Sequence, residues 1–260
     1  MKKLLNIEYM KVKNYRTFWV ILIIYAALVP LTFWGISEIP FPFLPSKSEI
    51  FGFPTVWNYI TWTASWWNVL LGVLVVVMVC NDIDFKTQRQ NIIDGLSRSQ
   101  VIMGKFYMLI VMALAVTLYT FLIGTIMGLI FSSPSEIFSG IEYIAIYFVQ
   151  TIGYFSFAFF FAVLVKKPAL SIILFVVIIM LDGLLGIGIP PTALQFVPTI
   201  TISDLTPFPF FQEILEMGKK ADPNFKEPFI LSQSLRSLLA IIYISTFVFV
   251  GYLSLKRRDL

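Results

Sequence analysis

The sequence has no histidine and a single cysteine, Cys80, and charged residues fill only 13% of its 260 positions. Each shortage excludes a chemistry. Without histidine there is no imidazole to act as general base, to complete a Ser-His-Asp triad or to ligate zinc. One cysteine permits neither an intrachain disulfide nor a cysteine-cluster metal site. Soluble domains carry about 25% charged residues. Here the scarcity of charge accompanies 58% apolar residues and 26 phenylalanines, with a mean hydropathy of +0.85. A chain of this composition is expected to be an all-α integral membrane protein, because spanning helices satisfy their own backbone in lipid.

Six apolar stretches reach the about 20 residues that a spanning helix needs. They lie at residues 17–36, 57–80, 106–131, 143–165, 168–187 and 235–255. The first is expected to be retained rather than cleaved as a signal. Sixteen residues precede it, and its apolar run exceeds the about 7–15 residues of a signal core. The expected organisation is an N-terminal amphipathic segment over residues 1–16 and a six-helix domain over 17–260.

Six spans place both termini on one side, and the basic residues choose that side. Fourteen of the nineteen Lys and Arg fall in the termini and the even-numbered loops: Lys2, Lys3, Lys11, Lys13 and Arg16; Lys86, Arg89, Arg98 and Lys105; Lys166 and Lys167; Lys256, Arg257 and Arg258. The opposite side holds Lys47, Lys219, Lys220, Lys226 and Arg236, together with acidic residues that include Glu38, Glu49, Glu213, Asp222 and Glu227. Both termini are therefore expected in the cytoplasm, with the chain in a plasma membrane. The net charge of +4 is modest and one-sided, so membrane lipids rather than nucleic acid are the expected contact. Trp57, Trp62, Trp66 and Trp67 crowd the outer half of the second span. They read either as an interfacial aromatic belt or, through Trp62 and Trp66 at i and i+4, as an aromatic face on a translocation path.

Residues 1–16 mix Leu4, Leu5, Ile7, Met10 and Val12 with four lysines, the pattern of a short cationic helix on the inner leaflet. The loop between spans two and three is the most informative segment. Phe85, Arg89, Ile92, Ile93 and Leu96 recur at helical spacing, and four of the five are apolar. Asp82 or Asp84 suits the start of this helix and Gly95 its end. Ser97 or Ser99 suits the cap of the helix that follows. An apolar stripe on a loop helix calls for something to dock on: a partner protein, the membrane surface or the protein's own helices.

The run Asp84-Phe85-Lys86-Thr87, then Ile92-Ile93-Asp94-Gly95-Leu96-Ser97-Arg98, then Gly104-Lys105 resembles the intracellular loop of type-2 ABC transporter permeases. Glu8, Lys11, Lys13, Asn14, Arg16 and Phe18 are similar to the amphipathic elbow helix of that family. The chain departs from the family at Thr87-Gln88-Arg89, where many members carry glycine after the basic position, and at Asp84, where many carry glutamate. The resemblance implies a coupling helix whose ATPase contacts are Asp84, Phe85, Lys86, Arg89, Ile92, Ile93, Asp94, Leu96 and Arg98. It also implies a pairing with itself or a homologous permease, two copies of an ABC ATPase subunit, and short outer helices between spans five and six. The implied cargo is amphipathic or lipid-like: a peptide, lipid or drug.

No G-x-x-x-x-G-K-[ST] occurs in the sequence. ATP and magnesium would therefore act through the partner ATPase, with no cofactor bound directly and no enzymatic activity expected of this chain. Asp182 is the carboxylate placed well within a span. It reads either as functional on the path or as the cap of a new segment after a break at Gly183. Gly124 and Gly128 form a G-x-x-x-G that allows close helix packing. Residues 190–211 are apolar and proline-rich, a re-entrant or lid-like segment or else a surface loop. A second functional class stays open: a membrane anchor in a secretion or motility machine that recruits an ATPase without a transport cycle.

Overall fold

The computed structural model describes residues 2–39, 45–221 and 228–256, the side chain of Gln212 excepted. Asp222, Lys226, Glu227, Arg257 and Arg258, counted in the charge balance, lie outside the described residues. Among the described residues the regular structure is helical throughout. In chain order the helices are α1 (Lys2–Lys13), α2 (Arg16–Ser37), α3 (Lys47–Phe51), α4 (Thr55–Trp66), α5 (Asn68–Asp84), α6 (Thr87–Ile93) and α7 (Arg98–Phe131). Then follow α8 (Glu142–Val165), α9 (Pro168–Leu185), α10 (Pro191–Leu194), α11 (Pro198–Ser203), α12 (Phe211–Ala221) and α13 (Gln233–Lys256).

Five of these, α2, α7, α8, α9 and α13, are long and apolar enough to cross a membrane. The pair α4 and α5 passes the same test together, bent by 44° at its break. The chain is a multi-pass helical membrane protein. Its outward-facing side chains agree: Ile173, Val177, Met180 and Leu184 on α9 and Leu114, Leu118, Leu122 and Ile126 on α7 are exposed. Exposed apolar stripes of this extent suit lipid rather than water. Helix α8 lies at the centre and packs against α4, α5, α7, α9 and α13.

The helix expected as a second span over residues 57–80 is not continuous. It begins at Thr55, stops at Trp66, resumes at Asn68 and runs to Asp84. Neither proline nor glycine marks the break, so its cause lies in tertiary contacts. The Trp67 indole donates to Thr32 Oγ1 at 3.1 Å. The Asn68 amide donates to Thr151 Oγ1 at 3.4 Å and accepts from the Tyr147 hydroxyl at 3.1 Å. The Tyr147 and Tyr25 hydroxyls lie 2.7 Å apart. All four of Asn68, Thr151, Tyr147 and Tyr25 are buried. A polar side chain in the core of a helical bundle holds its place only when such partners exist.

Pro30 sits inside α2. Having no N–H, it leaves the carbonyl of Ala26, four residues earlier, without its helical donor. The Tyr119 hydroxyl of α7 donates to that carbonyl. Tyr119→Phe is therefore expected to cost about 1–3 kcal/mol, the penalty of a buried unsatisfied acceptor. The same change in a Pro30→Ala background should cost clearly less, because the restored N–H takes over. Thermal unfolding of the four purified proteins reads the difference. Equal losses in both backgrounds would show that the phenol acts elsewhere.

The glycines of the G-x-x-x-G serve a different purpose from the one expected. A Cβ at Gly124 would meet the Trp57 ring, and one at Gly128 would meet the Phe53 ring. Small residues here make room for aromatic side chains rather than for a neighbouring backbone.

Between α9 and α13 the chain does not run as a simple surface loop. Thr201, Ile202, Leu205, Thr206 and Phe210 are buried. Gln150 of α8 donates to the carbonyls of Ile202 and Ser203 and to Thr206 Oγ1, at 3.1, 2.8 and 3.0 Å. One buried amide thus satisfies carbonyls at the C-terminal end of α11, where the helix itself supplies no donor.

Candidate functional site at the α5–α6 turn

Where α5 ends and α6 begins, four charged side chains from three helices meet. Glu8 and Lys11 stand one turn apart on α1, Asp82 lies in the last turn of α5, and Lys105 lies two turns into α7. Lys11 Nζ is 2.7 Å from Glu8 Oε1 and 3.1 Å from Asp82 Oδ2. Lys105 pairs with the same Asp82 oxygen. The Thr87 hydroxyl donates to the other, Oδ1, at 2.6 Å. Glu8, Asp82 and Lys105 are buried. Two lysines and two carboxylates balance, which is the condition under which buried charge is retained. Burial acts to lower the Lys11 pKa, but the Asp82 and Glu8 charges outweigh it and hold the ammonium above its ordinary value. A cavity of about 290 Å³ adjoins the cluster, lined by these four residues with Thr87 and Phe85 among others.

The expectation that Asp82 or Asp84 starts the loop helix is not met. Both belong to the last turn of α5, and α6 starts at Thr87 after Lys86, with no side-chain cap. Carboxylates at a helix C-terminus oppose the helix dipole. For Asp82 that cost is outweighed by two ammonium groups, so tertiary pairing overrides the local cap preference. Lys86 makes the turn in the left-handed region, φ 53°, where residues other than glycine are uncommon. The hydroxyl of Thr87, the first residue of α6, is bonded to Asp82, so the root of α6 is fixed to the end of α5.

The far end of α6 follows the sequence. Gly95 has φ +93°. Its N–H bonds the Ile92 carbonyl at 3.0 Å, and the Leu96 N–H bonds the Asn91 carbonyl at 3.0 Å. This pair of bonds closes a helix through a left-handed glycine. Ser97, rather than Ser99, caps α7. Its Oγ accepts from the Gln100 N–H at 3.2 Å, while the Gln100 side chain accepts from the Ser97 N–H at 2.8 Å. Helix α7 therefore starts at Arg98, eight residues before the span expected at 106.

The apolar stripe divides. Phe85 and Ile93 are 76% and 69% exposed, and Arg89 between them is exposed as well. Ile92 and Leu96 are half-buried, turned toward the protein. Asp84, Lys86, Asp94 and Arg98 are exposed around them. Asp94 accepts from Gln90 at 3.1 Å, and Arg98 donates to the Lys256 carbonyl at 3.2 Å. Arg89 and Ile93, spaced i and i+4, are the side chains that α6 exposes together, and Phe85 is exposed at the end of α5, just before the Lys86 turn.

The N-terminal helix also divides. Lys13 is exposed, but Glu8 and Lys11 face the cluster, and the helix ends at Lys13, so Arg16, expected on it, instead begins α2 and is exposed. Helix α1 packs on α7 rather than only lying on a lipid surface. Of the residues expected on a translocation path, Trp62 and Trp66 meet, while Asp182 has its own partner. Trp62 lies against Trp66 and Phe208, with ring centroids 4.6 and 5.1 Å away. Asp182 accepts from Thr199 Oγ1 at 2.6 Å. Helix α9 continues through Gly183 to Leu185, so Asp182 does not cap a new segment.

Sequence reasoning missed the role of Lys105 and the partnership of Asp82. The available signal was a lone lysine inside the apolar run that becomes α7. The family model described as "Protein of unknown function (DUF2705)" matches residues 21–260, a stretch that holds α3 to α13 and most of α2. No curated protein matches the chain.

Proposed function

We propose that this chain, which belongs to the DUF2705 family, is the membrane-spanning subunit of an ATP-driven exporter resembling the type-2 ABC permeases. In this reading the bent pair α4–α5 is one span of six, both termini are cytoplasmic, and residues 190–211 form a re-entrant outer segment. Two copies, or this chain and a homologous permease, pair in the plasma membrane, the inner membrane of a bacterium. Each copy docks one ATPase subunit that binds ATP and magnesium. The cargo is amphipathic or lipid-like.

The observation that carries the reading is the construction of α6. The helix exposes Arg89 and Ile93, with Phe85 exposed just before it at the end of α5, while its root is held by an ion network that reaches α1, α5 and α7. A partner pressing on these side chains would move three helices together. Apolar anchors ringed by charge suit a protein interface, the anchors supplying affinity and the charges register. A stiff loop helix of this kind suits transmission of force.

Two experiments test the proposal. Co-purification should recover an ATPase subunit with the chain, and vesicles holding both should move amphipathic cargo when ATP is supplied. Binding without flux would favour the anchor role. The orientation has its own test in a Cys80→Ala background. A membrane-impermeant thiol reagent added outside should label a cysteine at Lys219 and not one at Gln90, both exposed positions. Labelling of intact cells at position 90 would overturn the topology.

A further inference from the structure

At the end of the bundle opposite α6, two cavities of about 530 and 370 Å³ adjoin, sharing Asn58, Tyr143 and Pro209 in their walls. Three of the five buried side-chain atoms that lack a hydrogen-bond partner among the described residues belong to residues lining this pair: Arg236 Nε, Asn58 Oδ1 and Glu213 Oε2. Buried polar atoms are normally satisfied, so this concentration marks a place where a ligand supplies partners. The atoms define what it must offer: one acceptor for Arg236 and donors for Asn58 and Glu213.

We propose that the two cavities form one groove that binds a cationic peptide segment. The carboxylates of Glu49, Glu142 and Glu213 in the adjoining smaller cavity argue for a cationic peptide over a phosphate, and Arg236 offers it a donor. Arg236 Nη1 already donates to the Asp204 carbonyl at 2.8 Å and its Nη2 to Gln195 Oε1 at 3.4 Å. The Nε–H has no partner among the described residues and suits a carbonyl oxygen. Asn58 Oδ1, on the shared wall, takes an amide N–H. The smaller cavity is lined by Glu49, Glu142 and Glu213 and, among the described residues, by no lysine or arginine, so it calls for a cationic side chain or amino terminus. No group of three carboxylates among the described residues is placed to hold a metal ion. In the larger cavity Trp62, Phe208 and Phe229 offer surfaces for apolar side chains. The groove's exposure to the outside rests on the proposed orientation; the binding itself does not, and it needs neither ATP nor an ATPase.

The test uses the full chain in detergent and an amidated, fluorescently labelled hexapeptide of alternating lysine and phenylalanine. Saturable binding is expected, and the same peptide with glutamate for lysine should bind at least tenfold more weakly. Glu213→Gln and Asn58→Leu should each weaken the lysine peptide about tenfold while leaving the thermal unfolding midpoint near that of the parent. The two variants act at different walls, so either one that folds is informative. Equal binding of the glutamate peptide, or unchanged affinity in a folded variant, overturns the proposal. Displacement of the peptide by phosphatidylethanolamine vesicles, with no loss in Glu213→Gln, overturns it in favour of a lipid headgroup.

Discussion

Asp82→Asn is expected to lower stability by about 3–5 kcal/mol, the range for removing one partner of a buried ion pair. The substitution keeps the shape of the side chain and removes its charge. Lys105, 4% exposed, would then be a buried cation without its carboxylate, and Lys11 would keep only Glu8. The Thr87 hydroxyl would retain an acceptor but lose a charged one, loosening the root of α6. Thermal unfolding of the purified protein should show the loss as a clearly lower midpoint. Removing both charges tells more. Asp82→Leu with Lys105→Met should recover much of the stability, because well-packed apolar residues often match a buried pair. A double variant as unstable as the single would mean that the network, not the pair, is the unit. Lys11 adds a pH statement. Its pKa in the folded state is raised above the ordinary 10.5, so its contribution is fully present below pH 10.5 and fades only as pH rises through the higher folded value. Across the neutral range Lys11 should add no slope to stability.

Phe85→Ala with Ile93→Ala is expected to weaken ATPase binding at least about thirtyfold, since truncating a central interface anchor costs about 2 kcal/mol or more. The isolated protein should unfold at nearly the parent temperature, because both side chains are mostly exposed and surface changes are usually worth under about 0.5 kcal/mol. Ile92→Ala with Leu96→Ala should behave in the opposite way. Those side chains are half-buried against the protein, so stability should fall and affinity per folded molecule should change less. The contrast separates a docking face from a self-packed one. Single charge changes at the rim, such as Asp94→Lys, should act mainly on association and diminish with salt.

Much of this was legible where local chemistry decides structure. The long apolar runs mark α2, α7, α8, α9 and α13. Gly95 marks the end of α6 because a left-handed turn favours glycine, and Ser97 with Gln100 marks the start of α7. The rest depended on residues far apart in the chain. The break at Trp67 has no proline or glycine to announce it; it rests on Thr32, Tyr147 and Thr151. Asp82 resembled a helix cap until Lys11 and Lys105, 71 and 23 residues away, took it as their partner. Helical periodicity placed Ile92 and Ile93 on one stripe. The axis that decides which of them faces outward is set by the Lys86 turn and the anchoring of Thr87, and neither is a property of α6 alone. Nothing local to Arg236, Asn58 and Glu213 shows that they line adjoining cavities, since 178 positions of chain separate the first two.

The central claim, that α6 docks an ATPase, is tested most directly by placing a photoreactive phenylalanine analogue at position 85 in cells and identifying what it captures. Phe85 is 76% exposed at the turn into α6, so the substitution leaves the fold undisturbed. The account predicts a crosslink to a separate polypeptide that carries a G-x-x-x-x-G-K-[ST] phosphate-binding loop, abolished when Ile93 is changed to a charged residue. Crosslinks to lipid or to this chain alone, with an ATPase absent from the captured material, would contradict it.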